Sequence, residues 1–111
     1  MAIFKLLDSL QFIFSYTVLD FKTWPTGSYL KMRIVFNDQS VLHVREYSDE
    51  RERNYSYHWQ DEHGTLIARW DNAPHHSHLT SFPHHRHKDN HVEESFEISL
   101  EDVLKRIEIN M

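Results

Sequence analysis

Leu30-Lys31-Met32-Arg33-Ile34-Val35-Phe36-Asn37-Asp38-Gln39-Ser40-Val41-Leu42-His43-Val44-Arg45-Glu46-Tyr47 is two extended runs around a turn. Leu30, Met32, Ile34 and Phe36 recur at every second position with Lys31 and Arg33 between them. That is the period of a strand with one face in a core and the other in water. Asn37-Asp38-Gln39-Ser40 supplies turn chemistry, and the run over residues 41–47 follows it, so the stretch reads as an antiparallel hairpin. Upstream, Phe12, Phe14, Tyr16 and Val18 alternate as a first strand. Downstream, past a charged connection at residues 48–53, Tyr55, Tyr57 and Trp59 share one face while Asn54, Ser56, His58 and Gln60 share the other. Asp61-Glu62-His63-Gly64 then turns the chain, Gly64 being suited to a left-handed position, and residues 65–71 return as a fifth strand. Leu66, Ala68 and Trp70 fall on one side of it, and Ile67, Arg69 and Asp71 on the other. His58, Arg69 and Asp71 are thereby expected on the polar face of one hairpin.

Helical periodicity lies at the two ends. Ser99 followed by Leu100-Glu101-Asp102 has the form of a capping box with Asp in place of Glu, and its acids suit the positive end of a helix dipole. Leu100, Val103, Leu104 and Ile107 then form one apolar stripe. Ile3, Phe4, Leu6, Leu7 and Leu10 outline a short N-terminal helix. The expectation is an α+β fold: an antiparallel meander of about five strands, with a C-terminal and a short N-terminal helix packed on one face.

The 111 residues suffice for one domain with one modest core, so a single domain over 1–111 is expected, with a histidine-rich loop at 72–91. The chain carries 12 basic and 17 acidic residues, a balance that argues against strong nonspecific nucleic-acid binding. Its ten histidines make the sign of the field depend on pH near 6. Without cysteine there is no disulfide, thiolate metal site or cysteine nucleophile. Lys5 and Asp8 interrupt the apolar start, which reads as a structured terminus rather than a signal peptide, and no run reaches membrane-spanning length. A cytoplasmic protein with no membrane association is expected.

Asp71-Asn72-Ala73-Pro74-His75-His76-Ser77-His78-Leu79-Thr80-Ser81-Phe82-Pro83-His84-His85-Arg86-His87-Lys88-Asp89-Asn90-His91 holds seven of the ten histidines. Such clustering points to proton transfer, metal binding or phosphate contact. Pro74 and Pro83 each precede a histidine pair and stiffen the backbone there, which favours a shaped site.

Four blocks in this order resemble a known family: Val41-Leu42-His43-Val44-Arg45-Glu46-Tyr47, Tyr55-Ser56-Tyr57-His58-Trp59-Gln60-Asp61, Leu66-Ile67-Ala68-Arg69-Trp70-Asp71-Asn72-Ala73-Pro74-His75-His76, and Phe82-Pro83-His84-His85-Arg86-His87. They are similar to the TumE family, small bacterial proteins assigned as the toxin half of type II toxin-antitoxin pairs. The resemblance implies a partner antitoxin with a helix-turn-helix domain that silences the toxin. It does not supply catalytic residues or a target. Relatives tend to carry Pro and an acid after the first histidine pair, where this chain has Ser77-His78, so His78 receives no family-wide role.

The histidines admit three readings. In the preferred one the protein is a metal-independent ribonuclease, with His84, His85, His87, His75, His76, Arg69 and Asp71 as its catalytic set. Histidines poised near neutrality transfer protons to and from the reacting oxygens, while Arg69 or Arg86 holds the phosphate through a guanidinium fork. Arg86, Lys88, Trp70, Tyr57, His58 and Asn72 are the companion binding residues, with Trp70, Tyr57 or Trp59 stacking an unpaired base. In the second, zinc or another divalent ion sits among His75, His76, His85 and His87; no cofactor is the primary expectation. In the third, the loop docks a partner, nucleic acid or metal without catalysis. Beside these, Tyr55, Tyr57, Trp59 and Trp70 read first as packing aromatics, Arg69 and Asp71 equally as an ion pair, and His43, His58 and His63 as ordinary strand and turn residues, with His58 alone gaining functional weight from its place beside Arg69. Expected partners are the antitoxin, an RNA substrate and a second copy of the chain.

Overall fold

Alternation in the sequence becomes two-sidedness in the sheet: Leu30, Met32, Ile34 and Phe36 are buried, while Lys31 and Arg33 between them are exposed. The computed structural model describes residues 2–74 and 76–111, so His75 of the expected catalytic set lies outside the described residues. Helix α1 (Ala2–Ser9) is followed by strands β1 (Ile13–Trp24), β2 (Gly27–Phe36), β3 (Val41–Ser48), β4 (Arg53–Gln60), β5 (Leu66–Asp71), β6 (His85–Lys88) and β7 (His91–Glu94), and by helix α2 (Leu100–Ile109). The strands form one antiparallel sheet in the order β1 to β7, each paired with its chain neighbour. The count of about five is therefore corrected to seven. Part of the expected histidine loop is strand, because the chain reverses at Asp89 and Asn90, both left-handed, and pairs Lys88 with His91.

Both helices lie on one side of the sheet. Leu7 of α1 and Leu100, Val103, Leu104 and Ile107 of α2 join the inward faces of β2 to β5 in one buried cluster. Ser99 caps α2 through the expected box: its hydroxyl accepts from the Asp102 backbone N–H while the Asp102 carboxylate accepts from the Ser99 N–H. Beyond Asp61 the chain turns at Gly64, whose φ of 85° is left-handed. Alternation fails in β1, where register shifts between Ile13 and Ser15 and between Val18 and Asp20 leave Phe14 and Val18 exposed. Among the described residues no helix covers the opposite side of the sheet, and the candidate site lies there.

Candidate functional site

The antiparallel register lines up Arg33, His43, His58, Arg69 and His87 side by side from β2 to β6. The next row holds Lys31, Arg45, Ser56, Asp71 and His85. These positions share the open face, opposite the buried row of Met32, Val44, Tyr57 and Trp70.

Asp71, almost fully buried at the end of β5, organises the cluster. One of its oxygens, Oδ1, accepts from His85 Nε2 at 2.8 Å and from the Ala73 backbone N–H at 3.0 Å. The other, Oδ2, accepts from Arg69 Nε at 3.0 Å and lies 3.4 Å from His87 Nε2. His85 Nδ1 donates to the Pro83 carbonyl at 3.0 Å, so both of its ring nitrogens meet acceptors. With only 2% of its surface exposed, His85 braces Asp71 and does not reach solvent.

The reachable groups are His87, Arg69 and His76. His76 folds over this end of the face from the loop after β5, its ring centroid 4.7 Å from that of His85 and 5.6 Å from that of His87. Burial pushes His87 below the ordinary histidine value; Asp71 opposes this, and His85, His76 and Arg69 reinforce it. His87 is thus neutral at pH 7. Arg69 also donates to His58 Nδ1 at 3.3 Å, and burial together with Arg69 and His43 lowers His58 as well. Ser81, itself buried, fixes the loop by donating to the His84 carbonyl and accepting from the Ser95 N–H.

The pleat divides the expected site residues. His85, His87, His76, Arg69, Asp71 and His58 come together on the open face. His84 is on the other side, stacked on Tyr55 and accepting from its hydroxyl at 2.8 Å through Nδ1. Burial pushes that hydroxyl up to about 12, so Tyr55 keeps its proton at neutral pH. Arg86 also points to the helix side and pairs with Glu93 at 2.9 Å, and Lys88 lines the same helix-side hollow. Trp70 and Tyr57 are core residues; the Tyr57 hydroxyl donates to Glu46 and accepts from Arg53. Asn72 ties β5 to β4, its amide accepting from the Tyr55 N–H and donating to the Arg53 carbonyl.

Sequence motifs assigned no part to Lys31, Arg33, His43 or Arg45, which share the open face with the cluster. Their signal was available as strand parity, since each alternates with a core residue. One ring nitrogen from each of His76, His85 and His87 also lies within 4.8 Å of the other two, a grouping that can hold a metal ion.

No helix among the described residues is long and apolar enough to cross a membrane. No curated protein and no solved structure matches the chain. A family model described as toxin TumE matches residues 3–111. With nearly the whole length covered, the chain belongs to the TumE family of toxins.

Proposed function

We propose that this toxin cleaves RNA without a metal ion, at the cluster built on Asp71. The observation that supports this best is the position of two reachable imidazoles, His76 and His87, beside Arg69 and above a buried Asp71–His85 pair. His87, neutral at pH 7, takes the proton of a ribose 2′-hydroxyl. The 2′-oxygen attacks phosphorus, the bond from phosphorus to the 5′-oxygen breaks, and His76 donates a proton to that leaving oxygen. A 2′,3′-cyclic phosphate and a 5′-hydroxyl result. Arg69, held by Asp71 through Nε, turns its terminal nitrogens to the charge developing on phosphate. Asp71 and His85 act as positioning residues.

The toxin would work in the cytoplasm as half of a type II pair, silenced by a helix-turn-helix antitoxin. Exposed Phe14, Leu19 and Phe21 on edge strand β1 offer apolar area for a protein partner, either the antitoxin or a second copy.

Purified protein and labelled RNA over a pH series, with chelator present, test the reading. His87→Ala and Arg69→Ala should each slow cleavage by about 10²–10⁴-fold, and expression of either variant should no longer arrest growth. Absence of turnover by the wild-type protein would sink it and leave noncatalytic binding. A second reading is favoured by the three imidazoles of His76, His85 and His87 and by the Nδ1 bond from His85 to a backbone carbonyl, an orientation common among metal-bound histidines. Zinc at about 2.1 Å from each nitrogen needs ligands roughly 3.4 Å apart, so the cluster would have to contract. Activity lost to chelator and restored by zinc or manganese selects this second reading.

A further inference from the structure

The chain is acidic in sum, yet its open face is not. Lys31, Arg33 and Arg45 are exposed there, and among the described residues no carboxylate lies within ion-pair distance of any of them. A hollow of about 310 Å³ runs over Lys31, His43, Arg45, His58 and Arg69. A second, of about 290 Å³, lies over Arg45, Tyr47, Arg69 and Asp71. Arg45, Ser56 and Arg69 line both, so the two hollows adjoin as one trough, which reaches Arg69 and Asp71 of the cluster. At about 4.8 Å per strand, the row from Arg33 to His87 spans roughly 19 Å, longer than one nucleotide needs.

We propose that this trough is the path of a single-stranded RNA backbone, with Lys31, Arg33 and Arg45 holding successive phosphates and leading the strand to Arg69 and His87. The proposal rests on the RNA-cleavage reading and extends it from the scissile phosphate to the flanking strand. A polyanion suits the charge of the surface: Lys31, Arg45 and Arg69 line the trough together with His43 and His58, against a single lining carboxylate among the described residues, Asp71. Tyr47, at the margin of the second hollow, offers a ring on which a base can stack. A single strand also leaves its 2′-oxygen free to swing in line for attack.

The test is fluorescence anisotropy with a labelled 2′-O-methyl oligonucleotide, which lacks the attacking hydroxyl, read over a salt series. Removing one cation that neutralises a phosphate should flatten the slope of log affinity against log salt by about 0.7. Arg33→Ala with Arg45→Ala should therefore flatten it by about 1.4, and Lys31→Ala alone by about 0.7. Arg45→Lys should keep the slope, as should Lys105→Ala with Arg106→Ala on the helix side. A wild-type slope in the Arg33/Arg45 variant overturns the path and leaves cleavage at Asp71 untouched; no binding by the wild-type protein also overturns it and assigns the face to a protein partner. If the slopes change as stated while ordinary RNA stays uncut, the path stands and the cleavage reading fails.

Discussion

Asp71 accepts from His85, Arg69 and the Ala73 backbone while nearly excluded from water, so its removal leaves buried donors with no acceptor. Leaving a buried hydrogen-bond donor such as His85 Nε2 without an acceptor costs about 1–3 kcal/mol. Asp71→Ala should lower the unfolding free energy by that order in urea titrations and also abolish toxicity. His87→Ala, which removes a partly exposed ring, should abolish toxicity with a change in stability below about 1 kcal/mol. The contrast separates a positioning residue from one that meets substrate. At this scale the sequence was informative about residue type and poor about neighbours. His84, His85 and His87 look alike in a string, but only strand parity sends His84 to Tyr55 and the other two to Asp71.

Strands β2 to β5 were legible because each alternates a large apolar side chain with a polar one, and α2 because its stripe and cap agree. Strands β6 and β7 were not. His85-Arg86-His87-Lys88 and His91-Val92-Glu93-Glu94 contain almost no apolar residue, so periodicity is silent there. The surviving clue was Asp89-Asn90, two residue types that tolerate the left-handed region between short flanking runs. Asn90 has φ of 63°, where a β-branched residue is strained by about 1–2 kcal/mol. Asn90→Val should therefore loosen the hairpin, seen as faster hydrogen exchange at β6 and β7, whereas Asn90→Gly should not. Ser99→Ala should cost α2 about 1 kcal/mol, measured by thermal unfolding.

Over the whole molecule, folding sorts charge that the composition mixes. Burial places His43, His58 and His87 below the ordinary histidine value, so each binds protons more readily in the unfolded chain through the window just under pH 6.5. Where the unfolded state holds more protons, stability rises with pH. Denaturant midpoints should accordingly increase as pH is raised toward about 6.5 and level off above it; a decline over that interval would contradict the placement of these rings. Charge summed along the sequence pointed away from nucleic acid because it could not register that Lys31, Arg33, Arg45 and Arg69 gather on one face of the sheet.

Strand β6 presents two chemistries back to back, imidazoles outward and Arg86 with Lys88 toward the helices. Sliding it by one residue against β5 would exchange the two sets outright, setting Arg86 and Lys88 beside Asp71 and burying His85 and His87 beneath α2. Deletion of His84 alone, between Pro83 and His85, would thus disarm the toxin while every histidine and arginine of the site remained in the chain. Natural inactivation of this protein need not touch a single functional residue.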